Sequence, residues 1–379
     1  MDKKILITGG AGFIGSNTAD GLLKKGYSVR VLDLLQERVH PKGKPAYLSK
    51  EIEFIKGDVR DKDTLGKALR GVDVVYHFAA YQDYATDFSA FIDVNAVSTA
   101  LLYEIIVAER LPVRKVVIAS SQAAYGEGKF SCQEHGVVFP KSRTIAQLAK
   151  GELEMLCPAC RKPMSPLLLD EAVVNPFTSY GISKYTQEMI GFNLGRKYNI
   201  PTVAMRFSIV QGPRNSFYNA YSGVCRIFTL RLLHKKSPVV YEDGRQLRDY
   251  VHVDDVVRAN ILVLEDSRAD FEAFNVAGQK GTTVIEFAKL ICQKIAPQIE
   301  PEVSGEYRLG DPRHTVSSCE KLKKLGWEPR HDLGRIFDDY LAWISQQPKE
   351  DIRDRSEQAR DALKEMRVIQ KTEKFSSVI

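Results

Sequence analysis

An excess of one charge is missing from this chain. Its 54 lysines and arginines stand against 48 aspartates and glutamates, a net charge of +6 over 379 residues. The basic residues form no concentrated stripe, so no nucleic-acid partner is expected. No apolar run is expected to reach the length of a membrane span. The opening MDKKILITGG is not followed by the small-residue cleavage site of a signal peptide. A cytoplasmic protein without a membrane partner is therefore expected. Cysteine is scarce, with six residues at positions 132, 157, 160, 225, 292 and 319. In a reducing compartment these are thiols or metal ligands rather than disulfides. Internal repeats are absent, and 44% hydrophobic with 27% charged residues is an ordinary soluble composition.

What is present is an alternation. KILIT (4–8), SVRVLD (28–33), IEFI (52–55), DVVYHFA (73–79), KVVIAS (115–120) and TVAMRF (202–207) read as strands. They are continuously apolar, as strands buried on both faces must be. Between them Ile14–Lys25, Lys62–Leu69 and Ala96–Ala108 read as helices. Strand, helix, strand in repetition predicts an α/β fold, a Rossmann-type doubly wound parallel sheet. A first domain is expected over 1–211, with an insertion at about 127–175. After about Gly212 a smaller α/β lobe over 212–345 is expected to interleave with the core. The charged tail, 346–379, reads as a solvated helix or frayed end.

Residues 8–15 are TGGAGFIG, with Gly9, Gly12 and Gly15 spaced G-x-x-G-x-x-G between a strand and a helix. Such a turn needs residues without Cβ so that backbone N–H groups approach a pyrophosphate. The helix opening at Phe13 and Ile14 adds its positive end. Asp33 ends the second strand, eighteen residues after Gly15. A carboxylate there accepts from ribose hydroxyls and repels a 2′-phosphate, so NAD is favoured over NADP. Arg38 is the basic residue nearby.

TGGAGFIG, GDVRD (57–61), HFAA (77–80) and SSQAAYG (120–126) resemble the extended short-chain dehydrogenase/reductase family, the NAD-dependent epimerases and dehydratases, across residues 1–345. The resemblance implies that Asp58 and Val59 flank the adenine, Ala79 and Ala80 line the cofactor, and Asn95 supports the site. It also implies a homodimer.

Tyr180 and Lys184 lie four apart in SYGISKYTQE, on one helical face. An ammonium beside a phenol favours phenolate and is expected to lower the tyrosine pKa toward neutrality, making it a general base for a sugar hydroxyl. Ser121, closing the strand KVVIASS, is the third catalytic candidate. In the sugar dehydratases of this family an acidic pair follows the serine or threonine; here those positions are Gln122 and Ala123. Neither serves as acid or base, which argues against dehydration.

RFSIVQGPR (206–214), VVYEDGRQLRDYVHVDDV (239–256) and YRLGDPRHT (307–315) are similar to the nucleotide-sugar segments of the family. The similarity implies that Tyr241 stacks on the base, Arg248 and Arg308 meet the phosphates, and Asp311 meets a ribose or sugar hydroxyl. Ile209 and Gln211 depart from the family pattern close to the substrate. The expected activity is a nucleotide-sugar 4-epimerase on a UDP- or dTDP-sugar. Tyr180 takes the 4-hydroxyl proton while hydride passes to NAD; the 4-keto sugar turns over, and hydride returns to its other face. A ketosugar reductase, or a non-catalytic NAD-binding sensor or assembly protein, are the competing readings.

Between Ser121 and Tyr180 stand 58 residues, where relatives have a short loop. They contain SCQEHG and LCPACRK, hence Cys132-x-x-His135 and Cys157-x-x-Cys160. Three thiolates and one imidazole fit a closed tetrahedral zinc site. Reduced surface cysteines, or a redox disulfide between Cys157 and Cys160, are the alternatives. The insertion reads as too polar and short to hold its own core, so metal is expected to replace one. It is expected near the active-site mouth or at an interface. With NAYSGVCRIFTLRLL (219–233), the insertion makes the chain resemble the dTDP-L-rhamnose 4-epimerase-like subgroup.

Overall fold

The computed structural model describes residues 3–219 and 223–373. Seven strands form one parallel sheet: β1 Lys4–Thr8, β2 Ser28–Asp33, β3 Glu53–Lys56, β4 Val74–His77, β5 Lys115–Ser121, β6 Thr202–Phe207 and β7 Ala273–Val276. Their order across the sheet is β3-β2-β1-β4-β5-β6-β7. The order reverses at β1, between β2 and β4, so the crevice beyond the carboxyl ends of these strands is the expected ligand position. β7 is not among the strands expected from the sequence. Its AFNV pairs with β6 from Ala273–Ala204 to Val276–Phe207.

Each face of the sheet carries its own core. On one, Ile5, Ile7, Val31, Val117 and Met205 pack with Ala19 and Leu22 of the helix Phe13–Lys24 and with Val256 and Val263 of Val253–Glu265. On the other, Leu6, Val75, Val116 and Ile118 pack with Leu65 of Lys62–Leu69 and with Leu102 and Ile106 of Ser98–Ala108. Burying one such aliphatic side chain contributes about 1.5–3 kcal/mol, so two full faces hold the strand ends rigid. A third core, including Phe228, Tyr250, Phe287, Ile336, Phe337 and Tyr340, sits in the later part of the chain.

Two sequence expectations change. The helix Phe88–Ala108 is, by length and composition, apolar enough to cross a membrane, with mean hydropathy 1.6; half of that apolar window is buried within the fold. Apolar residues on both its sheet-facing and exposed sides explain the run. The tail, expected to be solvated or frayed, folds back over its described part. Its helix Ser356–Glu365 buries Ala359 and Leu363, and Ile369–Lys371 pairs antiparallel with Glu306–Arg308. The apolar Ile369 and the free edge of Glu306–Arg308 give it a place to dock. Of the string 219–233, positions 220–222 lie outside the described residues.

Candidate functional site

A cavity of about 1240 Å³ opens at the carboxyl ends of the strands and runs from the Gly-rich turn to the tail. That exceeds the roughly 300–1,000 Å³ of a single small-ligand pocket and suits two ligands end to end.

At one end the three glycines do different work. Gly9 has φ +68°, and a Cβ there would lie 2.7 Å from Ala79 N. A Cβ on Gly15 would lie 2.4 Å from Gly9 O. Both are required by the protein's own packing. Gly12 is not: its Cβ would meet only Gly9 O, at 3.3 Å. Its missing side chain leaves open the start of the helix Phe13–Lys24, which has no side-chain cap. Gly12, Phe13 and Ile14 line the cavity there. An uncapped helix start behind an open glycine fits a dinucleotide pyrophosphate.

Asp33 lines the cavity, its carboxylate accepting from Ala11 N at 2.9 Å and Leu35 N at 2.8 Å. Asp58, Val59, Ala79 and Ala80 line it too. Arg60 pairs with Asp58 at 2.6 Å and holds its carboxyl below the usual range. Asn95 stands behind the wall, in the π-helical turn Ile92–Val97. Its amide accepts from Tyr81 N at 2.8 Å and donates to Tyr81 O at 3.0 Å and Ser183 Oγ at 2.9 Å. It ties the Tyr81 loop to the helix of Tyr180. Arg38 is ion-paired with Asp83 and lies 4.7 Å over the Tyr81 ring.

In the middle of the cavity Ser121, Tyr180 and Lys184 come together. Ser121 ends β5, its Oγ accepting from Ala123 N at 3.1 Å. Tyr180 opens the helix Ser179–Lys197, which Thr178 caps through Gly181 N at 3.0 Å. The electrostatics differ from the sequence expectation. Burial pushes Tyr180 up to about 12, against a smaller lowering by its hydrogen bond with Ser121. Burial pushes Lys184 down to about 7, against the smaller pull of Glu188. The Lys184 ammonium donates to Gln187 Oε1 at 2.6 Å and does not lower the tyrosine. Removal from water disfavours both charged forms, and this outweighs the shared helix face.

The same helix is locked to the sheet by Arg206, whose Nε and Nη2 meet the Glu188 carboxylate at 2.9 and 2.8 Å. Ser120 also donates to Glu188. Gln122 lines the cavity, with a buried Oε1 that has no partner among the described residues. Gln211 Oε1 and Ser208 Oγ have the same status and also line it.

At the far end Tyr241, Arg248, Arg308 and Asp311 line the cavity. The Arg308 guanidinium lies 4.1 Å from the Tyr84 ring centre and 5.2 Å from that of Tyr241. Asp311 accepts from Arg308 Nε at 2.9 Å and pairs with its Nη2 at 2.8 Å, so in this structure the carboxylate holds the arginine. Arg248 donates to the carbonyls of Leu247, Arg313 and Pro312 at 2.9–3.0 Å. Tyr84 and the anchors behind this end are not foreshadowed by any motif. Arg143, in the insertion, donates to both Glu242 oxygens at 2.9 Å and to Asp311 O at 3.0 Å. Arg313 joins Glu242, Asp243 and Glu154. The insertion therefore buttresses the loop that carries Asp311.

Within the insertion Cys132, His135, Cys157 and Cys160 bring their ligand atoms within 4.8 Å of one another. Phe130–Cys132 and Gly136–Val138 form one hairpin around His135. Cys157 N donates to Lys162 O at 2.9 Å and Arg161 N to Cys157 O at 2.8 Å, closing the second. The Cys132 and Cys160 sulfurs are 3.6 Å apart, and His135 Nδ1 is 3.6 Å from both Cys132 and Cys157 Sγ. Zinc bond lengths imply tetrahedral edges of about 3.8 Å between sulfurs and about 3.6 Å between sulfur and nitrogen. The spacing is compatible with zinc, and the Cys132–Cys160 separation is well beyond the roughly 2.05 Å of a disulfide. Phe130, Met155 and Met164 pack beside the sulfurs, a small apolar cluster that the polar sequence did not suggest.

The profile of the NAD dependent epimerase/dehydratase family matches residues 5–277. The chain belongs to that family. Among curated members it is similar to the dTDP-L-rhamnose 4-epimerase of Burkholderia thailandensis, 31% identical over 354 residues, covering 91% of this chain and 96% of that one. Among solved structures it is similar to the UDP-glucose 4-epimerase of Thermotoga maritima with UDP-glucose. That match has 29% identity and a TM-score of 0.72 over 90% of this chain and 99% of the other. It is also similar to the UDP-glucose 4-epimerase of Thermus thermophilus in complex with NAD, at 26% identity and a TM-score of 0.71, over 91% and 100% of the two chains. The seven-stranded parallel sheet is the Rossmann-type sheet expected of this family.

Proposed function

We propose that this chain is a nucleotide-sugar 4-epimerase acting on a UDP- or dTDP-hexose or 6-deoxyhexose. The observation that carries the reading is a single cavity lined in turn by the Gly12 cradle, by Ser121, Tyr180 and Lys184, and by Tyr241, Arg308 and Arg248. NAD, when bound at the cradle, supplies a reversible hydride acceptor for sugar C4. The Gly12–Gly15 turn and Asp33 hold it, with Asp58, Val59, Ala79 and Ala80 along its course.

Tyr180 Oη takes the proton of the sugar 4-hydroxyl and returns it after the 4-keto sugar has turned over. Ser121 Oγ holds the same oxygen. Lys184, one helical turn on, donates to Gln187 in the structure as it stands and leaves Tyr180 high. Its role in this reading is to turn its charged form to Tyr180 when nicotinamide and sugar fill the cavity, which favours phenolate. Desolvation makes its own proton labile near neutral pH, so its charge is tunable by what occupies the cavity. Arg308 and Arg248 hold the diphosphate, Tyr241 stacks on the base, and the sugar reorients on that tether. Neither Gln122 nor Ala123 supplies the acid that dehydration needs.

Cys132, His135, Cys157 and Cys160 are proposed to hold a structural zinc ion, leaving no open position for chemistry. The exposed Ile92, Val97, Ile182 and Met189 support a homodimer. Reduced cysteines suit a cytoplasmic location. The test is turnover of a panel of UDP- and dTDP-sugars, read by product stereochemistry. Inversion at C4 of one of them, lost in Tyr180→Phe, is the expected result. No conversion of any of them would overturn the reading.

A further inference from the structure

The tail forms a wall of the cavity that the proposed function leaves without a task. Residues of its helix and of the turn after it, Arg360, Leu363, Met366 and Arg367 among them, line the same cavity as Tyr241 and Arg308. They are held there from several sides. Arg308, the central cation of this end, is in register with Ile369, and Leu309 N donates to Val368 O at 2.9 Å. At the helix start, Arg231 donates to Ser356 Oγ at 3.1 Å and Lys236 pairs with Glu357 at 2.9 Å. Beyond the strand, Glu373 N donates to Ala149 O of the insertion at 2.8 Å.

The charges are unbalanced toward the cavity. Glu306 accepts from Arg360 Nε at 2.6 Å and pairs with Lys364 at 2.9 Å, so one carboxylate faces two cations. Nε holds Glu306, and the two Nη groups of Arg360 have no acceptor among the described residues. Arg360 lines the same end of the cavity as the Tyr241 ring. Arg367, which lines the cavity and has φ 57°, stands exposed where the chain turns from helix to strand. A planar cationic fork beside a second arginine and an aromatic ring is the arrangement that recognises a phosphate next to a base.

We infer that the folded-back tail, residues 350–373, completes the substrate site by closing its nucleotide end, with Arg360 binding the nucleoside diphosphate and the paired strand fixing Arg308. This rests on the proposed nucleotide-sugar reading and adds a binding element to it.

UDP and dTDP are the probes, titrated calorimetrically into the full-length wild type, Arg360→Gln, Arg367→Gln and a control at the exposed Asp361, Asp361→Asn, with NAD titrated in parallel. Arg360→Gln is expected to weaken the tighter-binding nucleoside diphosphate about tenfold, the loss of one charge-assisted hydrogen bond. It should raise KM with little change in kcat, while NAD affinity and the Asp361→Asn control stay at wild-type values. Cleavage by trypsin within the tail, at Arg360, Lys364 or Arg367, should slow when that nucleotide is added. Equal affinity in Arg360→Gln and wild type, with no protection of the tail, overturns the inference and leaves the nucleotide-sugar reading standing. Absence of UDP and dTDP binding in the wild type would overturn that reading itself, and the inference with it.

Discussion

Gly12→Ala separates a glycine kept for a ligand from glycines kept for the fold. The backbone at Gly12 has φ −72° and ψ −179°, which alanine adopts freely. The added methyl would meet Gly9 O at 3.3 Å and nothing else within 4 Å. Replacing glycine at a compatible φ gains roughly 0.4–1 kcal/mol through the unfolded chain. That offsets one tight contact, so stability without cofactor should stay within about 1 kcal/mol of wild type. NAD binding should fall about 100-fold, because the methyl occupies the cradle. At an NAD concentration of 100 times the wild-type Kd, ligand stabilisation is about 2.7 kcal/mol; after a 100-fold loss it is about 0.4 kcal/mol. Urea unfolding with and without NAD reads both quantities. Gly15→Ala, whose Cβ would lie 2.4 Å from Gly9 O, should be destabilised even without NAD. Wild-type NAD stabilisation in Gly12→Ala would refute the assignment of the cradle.

Three more outcomes follow from the same structure. Lys184→Met should inactivate the enzyme yet stabilise it by on the order of a few kcal/mol at pH 7, because burial holds the lysine near 7 instead of 10.5. The unfolded chain binds the extra proton between those values, so the gain should shrink as pH rises from 7 toward 10.5; a less stable Lys184→Met at pH 7 would contradict this. His77 is fully buried between Thr8 and Ser98, and burial pushes it down to about 3. As pH falls from about 6.5 toward 3 only the unfolded chain gains its proton, so stability should drop over that range, and His77→Asn should flatten the drop in acid denaturation; an unchanged slope counts against it. Cys160→Ser, or chelation, should remove bound zinc by elemental analysis, lower the Tm and raise KM through the Arg143 buttress while NAD still binds. Carefully prepared wild type without zinc would overturn the metal assignment.

Local pattern carries far here. β1, β2, β6 and the helix Lys62–Leu69 lie at their expected bounds, because continuous apolar runs between turn residues have few other ways to be buried. β7 escapes because AFNV is only four residues long and is interrupted by Asn275, and its place is set by pairing with β6. The residues expected from the sequence that line the cavity come from motifs that are contiguous in the chain, whereas Tyr84 and the tail residues do not. The anchors do not: Arg206 meets Glu188 eighteen residues away, and Arg143 meets Glu242 ninety-nine away, with no periodicity linking either pair. The charges of Tyr180 and Lys184 depart from expectation because helical spacing reports proximity and not desolvation. The fold of the tail is hidden because its charged composition masks Ala359, Leu363 and Ile369, which are buried only by distant parts of the chain.

The central claim is that Ser121, Tyr180 and Lys184 run a redox-neutral inversion at C4. The direct measurement follows the sugar and the nicotinamide together: purified protein is given NAD and its best UDP- or dTDP-sugar, with C4 configuration read by NMR and NADH by absorbance. The account predicts many turnovers to the C4 epimer with no net gain or loss of NADH. One NADH consumed for each sugar converted would contradict it and make the protein a ketosugar reductase.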